Sequence, residues 1–198
     1  MINLFLSAII AYLLGSIPTA YLLVKSRGMD IFSLGTGNPG TANTFRMVGY
    51  KEGLIVFFVD SSKGALSVAI AILMGVEGEW LLIPGAFSVW GHLYPVFLRF
   101  KGGGGLATMI GIGAVLLPFP TAIGAIPGIM ILLISHHTGI SSTIGVLAAI
   151  GAALNRGDSG IIILGYFFIG LFILIRIRMH IYLASRKAAE PFVRSDSR

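Results

Sequence analysis

Residues 2–24 read Ile-Asn-Leu-Phe-Leu-Ser-Ala-Ile-Ile-Ala-Tyr-Leu-Leu-Gly-Ser-Ile-Pro-Thr-Ala-Tyr-Leu-Leu-Val and carry no charged side chain. A helix of about 20 apolar residues is long enough to cross the hydrocarbon core of a bilayer. A secretory signal would begin with basic residues, whereas here Lys25 and Arg27 follow the apolar run. The stretch therefore predicts a retained transmembrane helix.

Composition extends this prediction to the whole chain. The 198 residues are 56% hydrophobic and 11% charged, with a mean hydropathy of +0.91, whereas soluble domains carry about 25% charged residues. We expect an all-α, polytopic membrane protein with a single transmembrane domain over residues 1–187 and a frayed cytoplasmic tail over residues 188–198. The chain has no cysteine, which excludes disulfides, thiolate catalysis and cysteine-ligated metals.

Apolar segments separated by loops predict about seven helices. Their approximate bounds are 2–24, 54–74, 80–98, 106–117, 121–135, 140–154 and 161–176. Several are shorter than the ~20 residues that a full span needs. The fourth and fifth, which meet at Pro118-Phe119-Pro120, are also compatible with a re-entrant pair.

Basic residues are distributed unevenly between the predicted loops, and positive charge favours the cytoplasmic side. With the N-terminus outside, the inner loops and tail hold Lys25, Arg27, Arg46, Lys51, Arg99, Lys101, Arg176, Arg178, Arg186, Lys187, Arg194 and Arg198. The outer loops hold only one basic residue, Arg156. This bias predicts a cytoplasmic C-terminus. The net charge of +6 indicates anionic lipid head groups, not nucleic acid, as partners.

Two charged residues, Asp60 and Lys63, interrupt the second predicted helix at a spacing that puts them on one face. A charge inside a bilayer is costly and marks either a function or a pairing. One interpretation is mutual neutralisation that docks this helix, and the other is a polar pathway.

Four consecutive glycines, 102–105, follow Phe100 and Lys101 in a polar stretch between two apolar segments. Glycine allows positive φ and leaves the backbone N–H groups uncovered. Such groups beside a lysine form a concave site that suits phosphate. A flexible hinge between two spans is the alternative interpretation.

A second polar stretch, residues 35–46, reads Gly-Thr-Gly-Asn-Pro-Gly-Thr-Ala-Asn-Thr-Phe-Arg and is predicted to be a tight, turn-rich loop. The Arg46 guanidinium can hold phosphate through two parallel hydrogen bonds. An ordinary turn loop with a snorkelling arginine is the alternative. His92 is either a packing residue or a group that orients a carbonyl or phosphate. No helical His-x-x-x-His pattern is present, so we expect no metal site.

Four motifs stand in order along the chain. They are Gly15-Ser16-Ile17-Pro18, the stretch 35–43 with Arg46, Asp60-Ser61-Ser62-Lys63-Gly64, and Gly91-His92-Leu93-Tyr94-Pro95-Val96-Phe97-Leu98-Arg99-Phe100-Lys101-Gly102-Gly103. In that order and spacing they resemble the bacterial acyl-phosphate-dependent glycerol-3-phosphate acyltransferases, the PlsY family. The resemblance is detailed over residues 10–110 and rests on length and hydropathy elsewhere.

The resemblance implies a seven-helix enzyme of the bacterial cytoplasmic (inner) membrane with its site on the cytoplasmic side. Such an enzyme transfers an acyl chain from acyl phosphate to the 1-hydroxyl of glycerol 3-phosphate, in the first step of phospholipid synthesis. The products are lysophosphatidic acid and phosphate. No cofactor is implied, and a substrate phosphate takes the proton. The implied partners are acyl phosphate, glycerol 3-phosphate and membrane lipids, and a monomer is a plausible assembly.

Site residues follow where the chain matches the family's motifs. The expected catalytic residues are Thr36, Arg46 and His92. The expected phosphate- or substrate-binding residues are Gly37, Asn38, Asn43, Lys101, Gly102, Gly103, Gly104, Gly105 and His180.

The chain departs from the family's usual pattern at polar positions. Gly104 stands at a usual lysine, Thr36 at a serine, His180 and Leu183 at an asparagine and an arginine, and His136 and Gly139 at an arginine and a serine. Losing a cation beside an oxyanion costs about 100- to 1000-fold in rate. The alternative function is therefore a catalytically impaired paralogue that binds lipid or phosphate, or a small transporter.

Overall fold

The computed structural model describes residues 1–135 and 137–189, apart from the side chains of Thr138, His180 and residues 183–185 and 187–189. Within that part of the chain all regular secondary structure is helical. The α-helices are α1 (Ile2–Gly15), α2 (Thr19–Ser26), α3 (Thr41–Met47), α4 (Tyr50–Leu73), α5 (Leu82–Leu93), α6 (Leu106–Leu116), α7 (Pro118–Ser135), α8 (Thr138–Arg156) and α9 (Gly160–Ala189).

Five helical segments of the described residues are long and apolar enough to cross a membrane. They are Ile2–Ser26, Tyr50–Leu73, Gly78–Leu98, Pro118–Ser135 and Gly160–Met179. Helix α6 has 11 residues and extends about 17 Å, less than the roughly 30 Å of hydrocarbon. The predicted all-α, polytopic membrane fold is confirmed, and the predicted count of seven spans is approximate.

The first predicted helix is broken between Gly15 and Thr19. Pro18 has no N–H and disfavours helical backbone at the residue before it. The break leaves the carbonyl oxygen of Ile17 free of the helix, and Lys63 Nζ in α4 donates a hydrogen bond to it. The interruption in the first apolar run is therefore a docking point for α4.

Glycines allow the backbones of neighbouring helices to approach closely. A Cβ at Gly64 of α4 would collide with the carbonyl oxygen of Thr108, and one at Gly111 of α6 would collide with that of Ser61. The hydrophobic driving force between helices is weak in lipid. Close packing of the two backbones at small residues stabilises the helix pair instead. The α4–α6 pair thereby holds the start of α6 beside the middle of α4.

Helix α9 extends well past its predicted end at Arg176 and reaches Ala189. Residues 177–189 contain neither glycine nor proline, so no residue there stops the helix. The predicted tail, which begins at residue 188, thus starts within α9, and residues 190–198 lie outside the described part. The extension places the basic residue Arg178 on a regular helix.

Candidate active site

A cavity of about 860 Å³ lies among α3, α4 and the helices α6 to α9. At one end its walls come from the stretch 36–46, His92, Gly104, Gly105 and Arg178. At the other end they come from apolar and small side chains of α6 to α9. A cavity with a polar mouth and an apolar interior fits an amphiphile, with its head at the mouth and its chain among the helices.

The sequence predicted a loop over the whole stretch 35–46, but only its first part lacks helical structure. Residues 41–47 form α3, which begins directly after Pro39-Gly40. Asn43 projects from α3 and holds the preceding turn: its Nδ2 donates to Leu34 O at 2.9 Å, and its Oδ1 accepts from the Thr36 N–H at 3.1 Å. Buried Asn43 therefore shapes the mouth of the cavity through its side-chain amide.

Arg46 lies on the exposed side of α3 and lines the cavity. Its Nε donates to the carbonyl oxygen of Ala42 at 3.1 Å, one helical turn earlier. Among the described residues, no carboxylate lies within ion-pair distance of Arg46. The anchored Nε fixes the guanidinium plane while its terminal NH₂ groups stay available to an anion.

The glycine loop is entered through a strained backbone. Arg99 and Phe100 have φ values of 51° and 64°, in the left-handed region that side chains disfavour. Gly105 also has a left-handed φ of 85° and is the N-cap of α6. The loop thereby turns sharply into the first turn of α6, whose N–H groups carry a partial positive charge.

The four glycines differ in what surrounds them. A Cβ at Gly102 or Gly103 would collide with neighbouring groups, including backbone oxygens of Leu93 and Pro39. At Gly104, by contrast, a Cβ would meet only Asn38 Nδ2 and Ile177 side-chain atoms at 3.7 Å, an ordinary van der Waals contact. The structure therefore demands glycine at 102, 103 and 105 but not at 104.

The two polar stretches meet at the mouth of the cavity. A Cβ at Gly40 would lie 3.5 Å from the backbone nitrogen of Gly104, and the Asn38 amide lies beside the same residue. Asn38 Oδ1 and Thr41 Oγ1 are buried there with no hydrogen-bond partner among the described residues. Since buried polar groups are normally hydrogen-bonded, these two atoms are available to a polar ligand.

His92 lies beneath the glycine loop. Its backbone oxygen accepts the Gly103 N–H at 3.1 Å, and its imidazole packs where a Gly103 side chain would be. Its Nδ1 is 4.0 Å from Asp60 Oδ1. His92 is buried and lines the cavity, so it both supports the loop and faces the site.

The charges inside α4 neutralise each other, as one of the two interpretations from the sequence predicted. Lys63 Nζ lies 2.6 Å from Asp60 Oδ1, and both residues are buried. The hydroxyl of Thr19 donates to the same carboxylate oxygen at 2.9 Å. The cluster ties α4 to the break between α1 and α2, while Asp60 also reaches the cavity wall.

The cavity brings together seven of the site residues expected from the sequence: Thr36, Asn38, Asn43, Arg46, His92, Gly104 and Gly105. Four others do not line it. Gly37 lies in the turn behind Thr36, and Gly102 and Gly103 pack against a separate small pocket beneath the loop. Lys101 is exposed. The side chain of His180 lies outside the described residues.

Among the lining residues missed as site residues from the sequence is a basic one, which counted only as a basic residue near the tail. Arg178 of α9 is exposed at the polar end of the cavity, one residue after Ile177, whose side chain faces Gly104. Arg176, two residues earlier, instead lies over the Tyr94 ring at 5.6 Å. If the apolar periodicity of α9 had been extended past residue 176, it would have placed these two arginines on different faces of the helix.

Metal-ligating side chains do not cluster in the described ranges, 1–135 and 137–189. Within them, no group of three or more His, Asp or Glu side chains is placed to hold a metal ion. The polar groups at the mouth include amides, hydroxyls and guanidinium groups together with the His92 imidazole. These groups bind oxyanions and hydroxyls through hydrogen bonds.

Known proteins share both the sequence and the fold. The family model of glycerol-3-phosphate acyltransferase matches residues 5–185. A glycerol-3-phosphate acyltransferase of Bacillus cytotoxicus is 39% identical over 155 residues, which is 78% of either chain. A glycerol-3-phosphate acyltransferase 2 of Bacillus cereus is 37% identical over 164 residues, 82% of either chain.

Two crystal structures of PlsY, an integral membrane glycerol 3-phosphate acyltransferase, have the same fold. Each is 33% identical to this chain, and each match covers 90% of both chains. The TM-score is 0.82 for the glycerol 3-phosphate form and 0.80 for the lysophosphatidic acid form. The sequence match extends over nearly the whole transmembrane region, and the chain belongs to the glycerol-3-phosphate acyltransferase family.

Proposed function

We propose that acyl phosphate is the acyl donor of this membrane-bound glycerol-3-phosphate acyltransferase. The observation that carries the proposal is a single cavity that joins an arginine-lined mouth to an apolar interior. Acyl phosphate has the matching shape, a charged head on a hydrocarbon chain. The PlsY crystal structures with glycerol 3-phosphate and with lysophosphatidic acid support the acceptor and the product.

The phosphate groups are bound where positive charge and free N–H groups converge. Arg46 and Arg178 supply two guanidinium groups at the mouth. The N-terminus of α6 adds the backbone N–H groups that begin at Gly105. In this arrangement the two phosphates of donor and acceptor share one positive region. That region offsets the repulsion between the two substrates.

The acceptor's hydroxyls are bound by the turn that contains Asn38 and Thr41 in the stretch 35–46. Asn38 Oδ1 and Thr41 Oγ1 are buried without partners among the described residues, and the Asn38 amide lies beside Gly104. A carbonyl oxygen and a hydroxyl oxygen accept hydrogen bonds from an alcohol. Glycerol 3-phosphate supplies such alcohols, and its 1-hydroxyl is thereby oriented towards the carbonyl carbon of the donor.

The chemistry needs positioning more than it needs a strong base. The 1-hydroxyl oxygen attacks the acyl carbonyl carbon and forms the ester bond, while the bond from that carbon to the phosphate oxygen breaks. The hydroxyl proton passes to a phosphate oxygen, so lysophosphatidic acid and inorganic phosphate are the products. Because the donor is a mixed anhydride with a good leaving group, orientation and charge stabilisation supply the acceleration.

His92 is a positioning residue in this proposal. Its backbone oxygen holds the Gly103 N–H, and its ring supports the loop from below. Thr36 is held by the Asn43 amide and presents its hydroxyl near the Asn38 N–H. His92 thereby supports the glycine loop, and Thr36 supports the turn of the stretch 35–46, around the substrates.

The protein is an integral membrane protein, and we place it in the bacterial cytoplasmic membrane with its N-terminus outside. In this orientation the mouth of the cavity faces the cytoplasm, from which the water-soluble glycerol 3-phosphate enters. The ends of α2, α7 and α9 then lie on the cytoplasmic side together with the glycine loop. The concentration of lysine and arginine at the ends of α2 and α9 and beside the glycine loop supports the placement.

The test is an assay of the purified protein with glycerol 3-phosphate and one of three donors: palmitoyl phosphate, palmitoyl coenzyme A or palmitoyl acyl carrier protein. We expect stoichiometric phosphate and lysophosphatidic acid from palmitoyl phosphate alone. Transfer from either thioester instead would refute the proposed donor. Substrate binding without turnover would favour the impaired paralogue, and movement of labelled glycerol 3-phosphate into liposomes would favour a transporter.

A further inference from the structure

The apolar part of the cavity, lined by residues of α6 to α9, is here called the shaft. On α7 the lining residues recur every three or four positions and are mostly small: Thr121, Gly124, Ala125, Gly128, Ile129, Leu132 and Leu133. This spacing is one face of a single helix. Helices α8 and α9 contribute lining residues down to Ala149 and Tyr166. The shaft therefore runs along the helix axes, away from the polar mouth.

The far end of the shaft is built from large or tightly packed groups. Tyr166 is only 4% exposed, and its hydroxyl donates to Met109 O at 3.4 Å. A Cβ at Gly113 would collide with the hydroxyl of Thr121 and would lie 2.5 Å from Tyr166 Oη. Beyond these residues the hydrophobic core continues with Leu117. Tyr166 and its neighbours thus form a floor.

The depth of the shaft follows from the helices that line it. Tyr166 at the floor and Arg178 at the mouth are twelve residues apart on α9, and Thr121 and Leu133 are twelve residues apart on α7. Twelve residues of α-helix extend about 18 Å. An extended hydrocarbon chain advances about 1.3 Å per carbon, given a single bond of about 1.5 Å and a zigzag path. Along α6 the floor is nearer, because Tyr166 Oη lies against Gly113, eight residues or about 12 Å after Gly105. The shaft therefore holds about 9 carbons counted from Gly105 and about 14 counted from Arg178.

We infer that Tyr166 sets the acyl-chain length that this enzyme prefers, by closing the shaft at a fixed distance from the phosphate-binding mouth. The inference rests on the proposed function, since it places the acyl chain of the donor in the shaft. Each methylene that leaves water for the shaft raises affinity about fourfold. A methylene beyond the floor finds no room in the shaft, so affinity stops rising at about 9 to 14 carbons.

Two substitutions move the end of the shaft in opposite directions. Tyr166→Ala removes about seven non-hydrogen atoms from the floor and is expected to lengthen the preferred chain by about two to four carbons. Ala125→Leu fills the shaft one helical turn above Thr121, about 6 Å from the floor, and is expected to shorten it by about four carbons. Because Ala125 is only partly buried, its variant tests the inference even if Tyr166→Ala fails to fold.

Two matched control variants make similar substitutions without changing the length of the shaft. Tyr166→Phe retains the ring and is expected to leave the preferred length within about one carbon of the original. Ala122→Leu makes the same change as Ala125→Leu on the same helix, but Ala122 is exposed and does not line the cavity. Its preferred length is expected to equal that of the unsubstituted protein.

The experiment uses purified full-length protein and saturated acyl phosphates of 8 to about 20 carbons. Binding is measured as the rise in thermal unfolding temperature without acceptor, and turnover as phosphate release with glycerol 3-phosphate. Optima that shift as described in the two shaft variants alone support the inference. Optima that stay unchanged in both, or that move equally in the controls, overturn it. Shifted binding optima without any phosphate release would contradict the proposed reaction while supporting the role of Tyr166.

Discussion

The replacement of a usual lysine by Gly104 leads to the sharpest prediction. Position 104 lies at the cavity mouth, and a Cβ there meets its nearest neighbours, on Asn38 and Ile177, at 3.7 Å. Its φ is outside the left-handed region, in contrast to the 85° of Gly105. The structure therefore accommodates Gly104→Lys without moving the loop, and we expect the new ammonium group to reach the region where we propose that Arg46 binds phosphate.

The magnitude follows from two opposing effects. One donor at a developing oxyanion contributes about 3 to 4 kcal/mol of transition-state stabilisation. Ordering a lysine side chain costs about 2 kcal/mol. The net gain is about 1 to 2 kcal/mol, which corresponds to a rise in kcat/KM of roughly 5- to 30-fold.

The assay measures phosphate release from palmitoyl phosphate with glycerol 3-phosphate, at low and high salt. Gly104→Met is the matched control, since methionine has a similar length and no charge. We expect Gly104→Lys to raise kcat/KM and Gly104→Met to leave it unchanged or lower. Equal gains in both variants, or a folded lysine variant with lower kcat/KM than the original, would refute the idea that the mouth stabilises negative charge at this position.

Three further substitutions test how the site is held. Asp60→Asn leaves Lys63 buried without its counter-charge and is expected to lower stability by about 3 to 5 kcal/mol in thermal unfolding; an unchanged unfolding temperature would show that the pair is not needed. Asn43→Ala removes both hydrogen bonds to the adjacent turn, and steady-state kinetics should show KM for glycerol 3-phosphate rising about tenfold with a smaller change in kcat. Arg178→Gln should lower kcat/KM about 10- to 100-fold, whereas Arg186→Gln on the same helix should not; equal losses would argue for a general charge effect.

Hydropathy and charge spacing were sufficient to predict the fold class. The 3.6-residue periodicity and the apolar runs depend on the bilayer alone, so they are readable from a single sequence. The pairing of Asp60 with Lys63 was predictable for a similar reason, because both residues lie on one face of one helix. Their other partners, the Ile17 carbonyl and the Thr19 hydroxyl, were not predictable, since they depend on how α4 docks at the break around Pro18.

Short helices and side-chain directions were harder to predict. Glycine, asparagine and proline dominate the stretch 35–40, and this composition concealed the short helix α3 that begins at Thr41. Asn43 consequently turns towards the backbone instead of standing free in a loop. Lys101 precedes the glycines in sequence, yet it is exposed and does not line the cavity, because the left-handed residues before it redirect the chain.

The central claim is that the turn containing Asn38, the first turn of α6 and the Arg46 guanidinium form one phosphate site. Titration of glycerol 3-phosphate into purified protein tests it most directly. We predict that Arg46→Gln weakens binding at least about tenfold, while Lys51→Gln, an exposed lysine that does not line the cavity, binds within about twofold of the original protein. Unchanged binding in Arg46→Gln, or equal weakening in both variants, would contradict the claim.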